Sequence, residues 1–173
     1  MVQLPSLKGL ASSRADEWLM VEIMSLVNSL VVGYGNSLRS DDGIGIKIAQ
    51  IVEGWHLPGV RSLSLHQLTP ELTMELAKVD LAIFVDACRY CNPEVVKLYP
   101  LDPSTSITFK SHSSDPEALL SLTQSLFGKC PLAWWLIVPG IDFQLGDKLS
   151  SPAKQGIEQA LKIVKRLITT ETK

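Results

Sequence analysis

Along this chain, short apolar runs alternate with longer stretches in which apolar residues recur every three or four positions. Ser29 to Tyr34 (SLVVGY) is an apolar run closed by Gly35-Asn36, which predicts a buried strand. From Asp42 to Glu53, Ile44, Ile48 and Ile51 share one helical face with Ile46 beside it. Ser40 is placed to N-cap that helix, and Asp41 and Asp42 fall in its first turn, where the helix dipole favours acids. Val60 to Leu65 alternates and predicts a second strand. Thr69-Pro70-Glu71 opens a second helix, with Pro at its first position and Leu72, Leu76 and Val79 as its apolar face. Leu81 to Val85 is a continuous apolar run that ends in Asp86. Val95 to Leu101 alternates and predicts an edge strand, because Pro100 cannot donate to a ladder. A Ser/Thr-rich loop over 102–114 leads to Asp115-Pro116-Glu117, which starts a helix carrying Leu119, Leu122 and Leu126. Ala133 to Val138 predicts another buried strand. Ser151 to Ile168 predicts a last helix, with Ile157, Leu161, Val164 and Ile168 on its buried face.

Strands alternating with helices predict an α/β fold whose sheet is parallel or mostly parallel and covered on both faces. Such sheets bind ligands beyond the C-terminal ends of their strands. Residues 1–25 lack this pattern and read as an extension, which leaves 26–173 as one α/β domain.

Composition changes this picture only by exclusion. With 46% hydrophobic and 20% charged residues the chain is ordinary globular material. A net charge of −2 with no basic stripe argues against nucleic acid as the main partner. No apolar run approaches the roughly 20 residues of a membrane span. The first residues lack the apolar core of a secretory signal, so the expected location is the cytoplasm. Three cysteines are too few for a disulfide scaffold. Cys88 and Cys91 form a lone CxxC followed by Asn92-Pro93, read as ordinary thiols in a loop. Their place just past Asp86 leaves open soft-metal binding or oxidation to each other.

The candidate chemistry gathers around the first turn. Gly33-Tyr34-Gly35-Asn36 precedes Ser40-Asp41-Asp42-Gly43-Ile44-Gly45. The position where a dinucleotide fingerprint needs its third glycine is Leu38, and there is no GK[ST] for a P-loop. Two acids at this helix start would also repel a phosphate. One aspartate suffices to cap a helix, so the second is a candidate for chemistry. Asp86 ends a strand where α/β sheets place functional groups, or else forms an N-cap or Asx turn. His112 precedes a helix in FKSHSSDPE, and His66 follows a strand at the same sheet edge. Asp42, Asp86 and His112 together suit a borderline divalent ion such as nickel or zinc. They suit an acid/base set equally well.

The order GYGN, DDGIG, FVDA and then an isolated Ser-His before a helix resembles the nickel–iron hydrogenase maturation endopeptidases. The resemblance runs from about Leu30 to Leu167. It implies a three-layer α/β/α sandwich around a mixed, mostly parallel five-stranded sheet. It also implies an endopeptidase that removes the C-terminal extension of a hydrogenase large-subunit precursor after nickel insertion. Carried over, Asp42, Asp86 and His112 would be both the metal-contacting and the catalytic residues, with Asp41 as a capping partner. Gly33, Gly35, Asn36, Asp41 and Gly43 would form the structural turn. Nickel would come with the substrate, with no tightly bound cofactor of the enzyme's own. The partner would be the precursor, and the enzyme a monomer. Many relatives carry a D-G-G-T-like turn after the second strand. Here the stretch reads HQLTPEL, which resembles the variant used with bidirectional, NAD-linked hydrogenases and marks His66, Gln67 and Thr69 for substrate recognition.

Two other readings use the same residues. A non-catalytic nickel carrier or sensor would need tight intrinsic binding and would cut nothing. A flavodoxin-like nucleotide-binding domain is disfavoured by the paired acids and the failed fingerprint. No G-x-S-x-G and no HExxH is present, which argues against a serine nucleophile or a permanent zinc-protease site.

Overall fold

The computed structural model describes residues 27–92, 95–103 and 115–170. The expected extension at 1–25 and most of the Ser/Thr-rich loop lie outside these residues. Strand β1 (Ser29–Tyr34) leads through a 3-10 turn at Ser40–Gly43 into helix α1 (Ile44–Glu53). Strand β2 (Val60–Leu65) is followed by a 3-10 turn at Pro70–Leu72 and the single-turn helix α2 (Thr73–Leu76). Then come β3 (Leu81–Cys88), β4 (Lys97–Leu101), α3 (Pro116–Phe127), β5 (Leu132–Pro139) and α4 (Ser151–Thr170).

The five strands order as β2-β1-β3-β5-β4. All neighbours are parallel except β4, which runs antiparallel along β5 at one edge. Every residue of β1 is buried, as expected for a strand covered on both faces. Val31, Ile83, Val85, Leu136 and Val138 face α1 and α4, where they meet Ile44, Ile48, Ile157 and Val164. Leu30, Val32, Ala82, Phe84 and Ala133 face the other way, onto Leu72 of the second 3-10 turn, Leu76 of α2 and Leu119 and Leu120 of α3. This period-two split makes a three-layer α/β/α sandwich with a mixed, mostly parallel sheet. Among the described residues, no helix is long and apolar enough to cross a membrane.

Three local expectations need correction. Strand β3 runs three residues past Val85, because Asp86, Ala87 and Cys88 continue to pair with Ile137, Val138 and Pro139. Ser40 does not cap α1: its hydroxyl donates to the Gln144 carbonyl at 3.2 Å instead. Cys88 and Cys91 are not free thiols but a disulfide, with Cα atoms 5.7 Å apart.

The chain leaves β1 toward β2 on one side and returns as β3 on the other. The C-terminal ends of β1 and β3 therefore flank the point where the topology reverses, and a crevice is expected there.

Candidate functional site

Glycines bring the start of α1 onto this crevice. A Cβ on Gly45 would lie 2.5 Å from the Val85 carbonyl oxygen and 2.6 Å from that of Tyr34. A Cβ on Gly33 would collide with the Gly45 carbonyl. Gly35 has φ 138°, and its missing side chain leaves room for the Asp42 carbonyl. Helix start and strand ends thus touch backbone to backbone.

That contact brings Asp42 and Asp86 into electrostatic range. Asp42 accepts the Asn36 N–H at 3.1 Å, and the Asn36 side chain in turn accepts the Leu38 N–H at 2.9 Å. Asp86 accepts the Ala87 N–H at 2.8 Å. Burial pushes the Asp86 carboxyl up to about 6, and the charge of Asp42 adds to the rise; the Ala87 N–H and the Tyr34 hydroxyl oppose it. A carboxyl held there still ionises at neutral pH but retains more basicity than an exposed aspartate.

Tyr34 ends β1 and is buried. Its hydroxyl accepts the Trp135 indole N–H at 3.1 Å. Burial, and then the charge of Asp86, push the phenol well above its usual range.

Asp41 does something different from its neighbour. It is fully buried. Its carboxylate accepts the N–H groups of Ile141 at 2.8 Å, Asp142 at 3.0 Å and Ser150 at 2.8 Å, and the Ser150 hydroxyl at 2.7 Å. Burial alone would raise its pKa, yet these bonds outweigh it and leave the carboxyl below its ordinary value. Asp41 makes no side-chain cap to its own helix, contrary to the capping role expected for it. It ties the loop after β1 to the loop after β5. Parallel bonds from Ser40 N–H to Gly146 O and from Gly146 N–H to Leu38 O, both 2.9 Å, continue the seam. Ser40 itself has φ 50°, left-handed for a non-glycine residue.

The other candidates are distributed less tightly. His66 and Gln67 are exposed just beyond β2, at the same end of the sheet. The Thr69 side chain hydrogen-bonds Glu71 and holds that carboxyl below its usual range. His112 lies outside the described residues. The nearest described residue after it, Asp115, caps α3 by accepting the Glu117 N–H at 2.9 Å. Tyr34 packs in the same cluster as Leu119 and Leu120, so the start of α3 lies on the face of the sheet that Tyr34 occupies, and the charge of Asp115 reaches its phenol. Among the described residues, no group of three His, Cys, Asp or Glu side chains could hold a metal ion. The carboxylate pair alone is an incomplete ligand set. The Cys88–Cys91 disulfide begins two residues past Asp86, and Arg89 beside it stacks on Tyr90 and Phe143 at 5.6 and 5.7 Å.

Sequence reasoning passed over Tyr34 and Trp135. The usable signal was that Tyr34 falls in phase with Leu30 and Val32, so a polar tip had to be buried on that face.

No family model and no curated protein matches the chain. Solved structures do. A [NiFe] hydrogenase maturation protease, HycI, from Thermococcus kodakarensis aligns with a TM-score of 0.64 at 19% identity, over 87% of this chain and 98% of that one. The hydrogenase maturating endopeptidase HybD from E. coli aligns with a TM-score of 0.65 at 20% identity, over 83% and 93%. A hydrogenase 2 maturation peptidase from a Thaumarchaeota archaeon gives 0.63 at 22%, over 82% and 97%. This chain therefore has the fold of the hydrogenase maturation proteases, across nearly the whole length of each.

Proposed function

We propose that this protein is an endopeptidase that removes the C-terminal extension of a nickel–iron hydrogenase large-subunit precursor once nickel has been inserted. The observation that carries the reading is the placement of Asp42 and Asp86 within electrostatic reach of each other at the topological switch point, in a fold shared with proteins named as hydrogenase maturation proteases. Nickel arrives as part of the substrate. We assign Asp42, Asp86 and His112 as the enzyme's contacts to it, with the substrate's own ligands completing the coordination. The enzyme needs no tight metal of its own, so extensive chelation should leave its activity toward loaded precursor intact.

Asp86, whose carboxyl burial raises to about 6, takes a proton from the attacking water. The water oxygen bonds to the scissile carbonyl carbon. The C–N bond then breaks, and the proton passes to the departing amine. In the stretch HQLTPEL, Leu68 and Leu72 anchor into the core while His66 and Gln67 stay exposed at the same end of the sheet, and His66, Gln67 and Thr69 select the precursor. Its form favours the bidirectional, NAD-linked class of hydrogenase. We place the reaction in the cytoplasm, with a monomeric enzyme.

Mass spectrometry of a large-subunit precursor, nickel-loaded and nickel-free, tests this. Loss of a C-terminal fragment only from the loaded sample is expected, and Asp42→Asn and His112→Ala should abolish it. An intact precursor under every condition, with tight nickel binding by the isolated protein, would instead point to a carrier or sensor.

A further inference from the structure

We propose that Tyr34 is a positioning residue for Asp86, its hydroxyl oriented by the indole of Trp135. The inference rests on the endopeptidase reading above, but the placement that motivates it does not. Tyr34 and Trp135 sit on β1 and β5, the strands on either side of β3. Val32 pairs with Phe84, and Phe84 pairs with Trp135, so all three lie on one face of the sheet. Two positions further along β1 and β3, the same face carries Tyr34 and Asp86. The tyrosine and the tryptophan therefore reach over β3 from opposite sides and meet at 3.1 Å, beside the carboxylate.

The direction of that hydrogen bond matters. An indole N–H can only donate, so the phenolic oxygen is the acceptor. The phenol's own proton is left to point elsewhere. Tyr34 is buried, and a buried phenol needs an acceptor. Asp86 and Asp115 both act on it through their charge, and of the two it is Asp86, on the same face of the sheet, that it hydrogen-bonds. One Asp86 oxygen already accepts the Ala87 N–H at 2.8 Å. A second donor from the side of the sheet fixes the carboxyl's rotation, leaving its remaining lone pairs aimed into the crevice beside Asp42. A reacting group held in this way loses much of its rate when its geometry slips by even about 1 Å.

Tyr34→Phe keeps the ring and removes the hydroxyl. Trp135→Phe keeps an aromatic ring and removes the donor. With nickel-loaded precursor, Tyr34→Phe should lower kcat roughly 10-fold and leave KM within about 2-fold. Trp135→Phe should move kcat the same way, by a smaller factor. In protein carrying 13C-labelled aspartate, the Asp86 carboxyl resonance at fixed pH should shift in Tyr34→Phe, and that signal needs no substrate. An unmoved Asp86 resonance, or a wild-type kcat in both variants, would overturn the proposal. So would a kcat loss matched by a rise in KM and a lower melting temperature, since that marks a packing role only. Wild-type protein that fails to cut precursor, with the Asp86 resonance still shifted in Tyr34→Phe, would sink the endopeptidase reading and leave the Tyr34–Asp86 placement standing.

Discussion

The carboxylate of Asp41 and the side chain and backbone of Ser150 are joined by two hydrogen bonds, at 2.8 and 2.7 Å, across 109 residues of chain. Ser150 passes the connection on, since its hydroxyl oxygen accepts the Ala153 N–H at 3.2 Å at the start of α4. One buried charge thus anchors the first turn, the β5–α4 loop and the entry to the last helix. Its neighbour Asp42 is half-exposed and belongs to the crevice.

Adjacent aspartates should therefore fail in different ways. Asp41→Asn turns an acceptor of four bonds into a group that must present an N–H to N–H donors. The expected cost is roughly 3 kcal/mol, read as a lower urea midpoint at unchanged slope. Asp42→Asn should keep wild-type stability to within about 1 kcal/mol and lose precursor cleavage.

Asp41 also makes an acid-stability prediction. Its folded pKa lies below the unfolded value. The unfolded state therefore binds the proton first, and the stabilisation is complete above the unfolded pKa of 3.8. It is lost as pH falls through the lower, folded pKa. Acid titration by circular dichroism should show wild type resisting unfolding down to a lower pH than Ser150→Ala, which removes one of the four donors.

Asp86 has the opposite sign. Its folded pKa is about 6, so folded protein binds a proton that unfolded protein has released, and stability falls as pH rises from 3.8 toward 6. Asp86→Asn should be more stable than wild type at pH 7, by about 1–2 kcal/mol, while inactive. Wild-type cleavage should rise with pH through about 6 and then level off, as expected when an ionised Asp86 is the base. A melting temperature that drops in Asp86→Asn would contradict the burial penalty.

Gly45→Ala tests the close approach of helix and strands. The added Cβ meets backbone oxygens of both β1 and β3 at 2.5–2.6 Å, and neither can swing away. Thermal unfolding should show a loss of about 3 kcal/mol, with cleavage reduced further because the two carboxylates are pushed apart.

The Cys88–Cys91 bridge closes a short loop, so the chain-entropy gain is small. Replacing both cysteines by serine, or reducing the bridge, should cost no more than about 2 kcal/mol. Matching denaturation curves in dithiothreitol for wild type and double variant would check that the two treatments remove the same thing.

The order of elements was legible in the sequence because each one announces itself locally. SLVVGY and VRSLSL mark their strands residue for residue, and Pro116 with Asp115 before it marks the opening of α3. The unbroken burial along β1 and the first five residues of β3 follows from their continuous apolar runs, which is why two covered faces were foreseeable. Asp42 and Asp86 were legible as candidates because α/β topology favours strand ends, though nothing local said that they would share a field. Tertiary structure decided the rest. The division of labour between Asp41 and Asp42 depends on four donors, three residues of one loop more than ninety positions away, and neighbours in sequence carry no trace of it. The Tyr34–Trp135 bond depends on which strands flank β3. The Cys88–Cys91 bridge depends on how the chain turns as it leaves the sheet. Hydrophobic period is a property of a segment, whereas the partner of a buried polar atom is a property of the packed whole.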